Sequence, residues 1–191
     1  SLSDGGAEGV LFRLCKYDNT QSHTVISMMD CGKYGPLLKN SGIEVHCLNM
    51  DSGRIRFNNF LKLFKLLRKY NPTIIQTWMY HADLFGGITA RLYGVKKVFW
   101  NIRHTALLPE DSKKSTRLVA KLCARLSGII PLGIICCAEE AKRVHINLGY
   151  LKRKMTVIPN GYDIKLFKPN EDLRFSFRNE FGLDSSTLVL G

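Results

Sequence analysis

Residues 73–105 read TIIQTWMYHADLFGGITARLYGVKKVFWNIRHT, and this stretch decides the fold class. TIIQTW (73–78) is a β-branched apolar run of strand length. HADLFGGITARLYG (81–94) reads as a helix, and KKVFWNI (96–102) as a second strand. A strand, a helix and a strand in succession imply a right-handed crossover between two parallel strands.

The same alternation extends in both directions. HTVISMM (23–29) and IEVHCLNM (43–50) read as strands around a short helix, KYGPLLKNSG, closed by Gly42. RIRFNNFLKLFKLLRKYN (54–71) is a long helix ended by Pro72. Downstream come a helix over 113–128, the strand GIICC (133–137), a helix over 138–149 and the strand KMTVIP (154–159). The expected fold is α/β: a doubly wound, Rossmann-like parallel sheet with helices on both faces, spanning residues 1–170. A linker helix is expected over 171–185, and the run at 186–191, which contains TLVLG, as the first strand of a further domain.

The chain opens SLSDGGAEGVLFRLC, without Met and without an apolar strand before its glycine pair. Val10, Leu11, Leu14 and Cys15 recur at helical spacing, with Asp4 as the expected N-cap. Gly5 and Gly6 allow close approach of the backbone to a ligand, beside helix N–H groups that suit an anion. In α/β proteins such a loop follows a buried strand, so the first, central strand of the sheet is expected upstream of Ser1.

Composition bounds the function. The 191 residues are 45% hydrophobic and 23% charged, an ordinary globular balance, with a formal net charge of +12. The longest apolar run, GIIPLGIICCA, is too short and too interrupted to span a bilayer. The six cysteines show neither a CxxC pair nor zinc spacing, so free thiols in a reducing, cytoplasmic setting are expected. No metal is expected. The positive charge speaks to partners rather than to fold.

Open parallel sheets bind ligands beyond the carboxyl ends of their strands. Those ends carry WMYHAD, with Trp78, Tyr80, His81 and Asp83; IRHT, with Arg103 and His104; and PNGYD, with Asn160, Gly161 and Asp163. Asn-Gly is also an ordinary turn signal, with Asp163 capping the turn. His23, His46 and His145 lie inside elements and are read as structural. No acidic residue stands where a nicotinamide enzyme would hold its ribose, which disfavours a dehydrogenase.

Taken together, SLSDGGAE, WMYHADLFGGITARL, VFWNIRHT and VIPNGYDIKLFKP resemble the N-terminal domain of retaining GT-B glycosyltransferases of family GT4. The resemblance implies a sugar transferase acting in cell-surface polysaccharide biosynthesis, with a nucleotide sugar as co-substrate and no further cofactor. The acceptor implied is a glycan or lipid-linked saccharide. His104 and Arg103 would then act at the transferred sugar. Gly5 and Gly6 would approach the donor phosphates, His81 and Asp83 would line the acceptor side, Asn160 would face the interdomain cleft, and Trp78 and Tyr80 would also bind substrate. The donor-gripping residues of the family lie in a C-terminal domain, so these residues alone are expected to be inactive.

Two alternatives come from other classes. A non-catalytic sugar- or nucleotide-binding domain would share the fold. A nucleic-acid-binding module would use the +12 charge, but the basic residues are dispersed and carry no recognised motif. In the helix over 54–71, Asn58, Lys62, Lys65 and Lys69 form one stripe and apolar residues cover most of the rest. That arc exceeds what packing on a sheet needs. Either a neighbouring helix covers the excess, or the helix docks peripherally on an anionic membrane at its inner face. Lys113, Lys114, Arg117, Lys121 and Arg125, with LKRK at 151–154, favour the second reading.

Overall fold

A computed structural model of the chain describes residues 1–51, 56–105, 107 and 112–189. It forms two compact units, residues 1–160 and residues 161–191.

The first unit alternates helices and strands in the expected order. The helices are α1 (Gly6–Tyr17), α2 (Tyr34–Asn40), α3 (Phe57–Tyr70), α4 (Tyr80–Tyr93), α5 (Lys114–Leu126) and α6 (Glu139–Asn147). The strands are β1 (Thr24–Ser27), β2 (Glu44–Cys47), β3 (Ile74–Trp78), β4 (Lys97–Ile102), β5 (Gly133–Cys136) and β6 (Met155–Val157). All strand pairs are parallel. The α/β fold class is therefore as the sequence implied.

The pairing differs from a single continuous sheet. β1 pairs with β2, and β3, β4, β5 and β6 pair in that order in a second sheet. An apolar cluster connects the two: Leu48, Met50, Leu63, Leu67 and Phe85 are buried, with Ile26 of β1 and Ile75 of β3 packed against them. Side-chain burial does there what backbone hydrogen bonds do within each sheet. The larger core lies on the second sheet, around Val98, Trp100, Ile102, Ile134 and Cys136. α4 approaches β4 so closely that a Cβ on Gly87 would lie 2.8 Å from Trp100 Nε1.

Local details adjust the expected helix ends. Gly5, not Asp4, is the N-cap of α1, and Asp4 instead pairs with Lys33 at 2.8 Å. The cap moves because the Asp4 carboxylate is drawn to a cation at the start of α2. The first residues of the 54–71 helix lie outside the described residues, and α3 runs from Phe57 to an Asn71 cap in the left-handed region.

The cysteine expectation is corrected in part. Cys31 and Cys47 form a disulfide, although sixteen residues separate them. Parallel pairing sets Ser27 beside Cys47, which brings the segment after β1 next to the end of β2. Cys15, Cys123, Cys136 and Cys137 are free. Burial pushes the Cys15 and Cys136 thiols up to about 11, so both stay protonated at neutral pH.

The second unit holds α7 (Glu171–Glu180), with Asn170 capping the Leu173 amide through its side chain. Thr187, Leu188 and Val189 are not in a strand, and the rest of TLVLG lies outside the described residues. Asp163 caps the turn that follows Asn-Gly, accepting from the Lys165 amide at 2.9 Å.

His145 is fully buried in α6. Its Nδ1 lies 2.6 Å from the Ala141 carbonyl, which can only accept, so Nδ1 carries the proton. Nε2 then accepts from the Tyr80 hydroxyl at 2.8 Å. Burial holds the His145 pKa below its ordinary 6.5. Above that value the ring is neutral folded and unfolded alike. As pH falls through it, the unfolded chain takes up a proton that native His145 refuses, and stability declines by up to about 1.4 kcal/mol per pH unit. Urea midpoints across this range should fall less steeply in H145Q, whose side-chain oxygen still accepts from Tyr80.

Candidate active site

The carboxyl ends of the strands and the start of α1 meet at a cavity of about 340 Å³. Gly6, Ala7, Glu8 and Val10 line it from α1, Met79 from the end of β3, Arg103 and His104 from the end of β4, and Asn160 from beyond β6. The amides of Gly6, Ala7 and Glu8 belong to the first turn of a helix, where backbone N–H groups have no intrahelical acceptor. With Arg103 they make the cavity attractive to an anion.

Arg103 is the best-fixed side chain of the cavity. One terminal nitrogen donates to Asn160 Oδ1 at 2.8 Å and the other to Asn101 Oδ1 at 3.1 Å. Its guanidinium carbon stands 4.6 Å from the centre of the Trp78 ring. Partial burial works against its charge, but a guanidinium stays protonated at neutral pH.

The expected site residues separate into two groups. Gly6, Arg103, His104 and Asn160 line the one cavity. Gly5 caps α1 behind them, and a Cβ there would collide with the Glu8 carboxylate. Trp78 supports Arg103 from below.

Tyr80, His81 and Asp83 are not in the lining. Tyr80 is 1% exposed, its hydroxyl is spent on His145, and burial raises its pKa. Asp83 is wholly buried, with Oδ1 2.5 Å from Thr77 Oγ1. Neither presents a surface to an acceptor, because α4 turns positions 80 and 83 of its first turn into the core. His81 points the other way and is exposed, although its ring is desolvated enough to lower its pKa.

Glu8 and Met79 were not anticipated. Glu8 is visible in sequence only as an acidic residue in a helix first turn. Met79 carries a signal that no sequence pattern provides, a φ of 71° with ψ 155°. Its N–H donates to the Asn101 carbonyl at 3.0 Å and its carbonyl accepts from the Asp83 amide at 2.9 Å. These bonds hold a non-glycine residue in a conformation that L side chains rarely adopt.

A family model described as Glycosyltransferase Family 4 matches residues 4–166, most of the chain. The chain belongs to glycosyltransferase family 4. Among curated relatives, it is 32% identical over 112 residues to an Escherichia coli enzyme, UDP-Gal:alpha-D-GlcNAc-diphosphoundecaprenol alpha-1,3-galactosyltransferase. That match covers 58% of this chain and 29% of the relative. Among solved structures, Anabaena HepE in complex with UDP superposes with a TM-score of 0.73 at 22% identity, and its complex with UDP-glucose with 0.74 at 20%. Each covers 95% of this chain and 48% of HepE. UDP-N-acetylglucosamine 2-epimerase from Rickettsia bellii shares the fold more loosely, with a TM-score of 0.56 at 14% identity. This family 4 chain thus spans about half the length of the structures it superposes on, as one Rossmann-like half of a GT-B fold.

Strain at Met79 has a measurable consequence. A residue held at such a backbone conformation costs on the order of 1–3 kcal/mol, and glycine removes that cost while adding about 1 kcal/mol of chain entropy. M79G is therefore expected to raise the unfolding free energy, by about 1 kcal/mol, in denaturant titration. A lower midpoint would place the strain elsewhere.

Proposed function

We propose that these residues form the acceptor-side half of a retaining hexosyltransferase that moves a sugar from a nucleoside diphosphate sugar to a glycan or lipid-linked saccharide. The observation that carries this reading is the meeting of the α1 N-terminus with Arg103 and His104 in one cavity. In such a transfer the bond between the anomeric carbon and the diphosphate oxygen breaks, an acceptor hydroxyl bonds to that carbon, and the hydroxyl proton leaves. Negative charge grows on the departing diphosphate, and first-turn amides with a fixed guanidinium oppose that growth. A helix dipole alone contributes about 0.3–1 kcal/mol, so the guanidinium and groups from the donor-side half supply the rest. In this reading His104, which lines the cavity with Arg103, hydrogen-bonds the sugar. The donor-side groups lie outside this half, so residues 1–191 alone transfer nothing in this reading.

Support for the substrate class comes from the relatives. The HepE complexes hold UDP and UDP-glucose, and the Escherichia coli relative is named for galactosyl transfer from UDP-Gal to a diphosphoundecaprenol-linked saccharide. The non-catalytic alternative shares the fold and would use the same amides and Arg103 to hold a nucleotide phosphate, so sugar transfer by the full-length protein separates the two. Polysaccharide assembly on a lipid carrier is the setting this implies.

A lipid-borne acceptor also gives a use to the outer face of α3. Phe57 is 76% exposed, and Leu61 and Phe64 are exposed beside it on the helix. Lys62, Lys65, Arg68 and Lys69 border them and are exposed as well. Phe64 meets the edge of the Tyr93 ring of α4 at 5.1 Å between ring centres yet stays 42% exposed, and the buried positions of α3 are Asn59, Leu63 and Leu67. Among the described residues no helix is long and apolar enough to cross a membrane. Apolar residues rimmed by cations suit peripheral docking on an anionic bilayer, at about 1 kcal/mol for each basic residue near the surface.

Two measurements test these readings. In the full-length transferase, assayed over a panel of UDP-sugars with lipid-linked saccharide acceptors, H104A and R103A are each expected to cut kcat/KM by about 100-fold or more with an unchanged melting curve. Near-normal turnover in H104A would remove it from the chemistry. In vesicle co-sedimentation, binding should rise with anionic lipid content, fall with salt, and weaken when Phe57 and Phe64 become Ser. Binding indifferent to lipid charge would leave the α3 face without a membrane role.

A further inference from the structure

Beneath the cavity lies a layer of buried polar side chains that touches no ligand position. Thr77 from β3, Asn101 from β4 and Asp83 from α4 are all buried, Asn101 and Asp83 completely. Buried polar groups cost about 1–3 kcal/mol each when unpaired, so their partners say what they are for. Those of Asn101 lead to the cavity.

We propose that Asn101 is a positioning residue for Arg103, holding the guanidinium of the cavity in one orientation against β3 and Asn160. Both bonds of its side chain serve that end. Its Nδ2 donates to the Thr77 carbonyl at 3.2 Å, which fixes the amide and points Oδ1 the other way. Oδ1 accepts from Arg103 at 3.1 Å. Its own carbonyl accepts from the Met79 amide at 3.0 Å, which holds the strained turn on the cavity wall. A carboxylate at position 101 could not donate to Thr77, and an apolar residue could do neither. An amide is the one common group of this size that both donates and accepts.

The consequence falls on Arg103. Asn101 and Asn160 each take one N–H from a different terminal nitrogen, and Trp78 lies under the guanidinium face. Two terminal N–H groups remain in a plane fixed on two edges and one face. A free arginine loses rotamer freedom when it grips an anion; here that freedom is already spent. Arg103 is therefore preorganised before any ligand arrives.

Asp83 is the foundation of the layer. Thr77 Oγ1 lies 2.5 Å from Asp83 Oδ1 and 3.3 Å from the Phe99 carbonyl. A hydroxyl has one proton; when it goes to the carbonyl, the short bond to Asp83 is donated by the acid. Oδ2 has no partner, and among the described residues no ion pair reaches the carboxyl. Burial raises the Asp83 pKa well above its ordinary value, which agrees with a neutral acid. Asp83 thus ties the first turn of α4 to β3 with no buried charge.

The test reads Arg103 directly. In ¹⁵N-arginine NMR spectra of the ligand-free protein, with Arg103 assigned through R103K, its terminal nitrogens should give separate, slowly exchanging signals. In N101S, whose hydroxyl is one bond shorter than the amide and so falls short of Arg103, they should merge while the melting curve shows a folded protein. Already averaged signals in the wild type would overturn the proposal without any variant, as would unchanged slow exchange in folded N101S. The kinetic arm rests on the transferase reading. There N101S should lower kcat by about tenfold, mostly without changing acceptor KM, and add no further loss to R103A. Losses that multiply would mean that Asn101 does not act through Arg103. A wild-type protein that transfers no sugar would remove the transferase reading and leave the NMR result standing.

Discussion

The parallel register of β3 and β4 is the constraint on which the site depends. Trp78 stands beside Asn101, and the strands end together at Trp78 and Ile102. That alignment puts the Trp78 ring under Arg103, the Thr77 carbonyl within reach of Asn101, and the Met79 amide against the Asn101 carbonyl. A slip of one residue would exchange the two faces of β4. Trp100 and Ile102 would leave their apolar neighbours, and Asn101 would lose its hydrogen-bond partners. The apolar core and the polar layer specify the same register, so neither has to hold it alone.

Polar burial in this protein has a direction. The Tyr80–His145 pair joins α4 to α6, with no charge on either group. The Thr77–Asp83–Asn101 layer leads to the cavity and ends on Arg103, a cation bonded on two sides. Both use neutral groups in the core and leave the charge at the rim, where water or a ligand can solvate it. This follows from the cost of charge in a low-dielectric interior, which far exceeds that of a paired neutral group. Met79 shows the same economy in the backbone: its strain sits at the cavity wall, between two hydrogen bonds from buried residues.

Membership of family 4 gives this arrangement a context. The chain spans about half the length of the structures it superposes on, and in the proposed transferase a second half would complete the cavity. A preorganised guanidinium suits such a half, because it needs no contact from the other side to take its position. The exposed apolar residues of α3 lie on a different element from the cavity-lining residues, so the docking and the chemistry proposed for this chain would use separate parts of the fold.

The sequence by itself determined the elements and the face on which ligands bind. Strand length, β-branching, helical spacing and breakers are local, and they placed each strand and helix within a few residues. Strand ends in a parallel sheet share one edge, so Gly6, Arg103, His104 and Asn160 were legible as neighbours despite their separation in the chain. Only the tertiary structure decided which side chains at those ends face inward. Tyr80 and Asp83 read as ligand contacts because they follow a strand, but the first turn of α4 rotates them into the core. The Cys31–Cys47 bridge depends on the pairing of β1 with β2, and the left-handed Met79 on bonds from Asn101 and Asp83. Each of these is set by the distance between residues far apart in the chain, and local pattern holds no information about such a distance until packing fixes it.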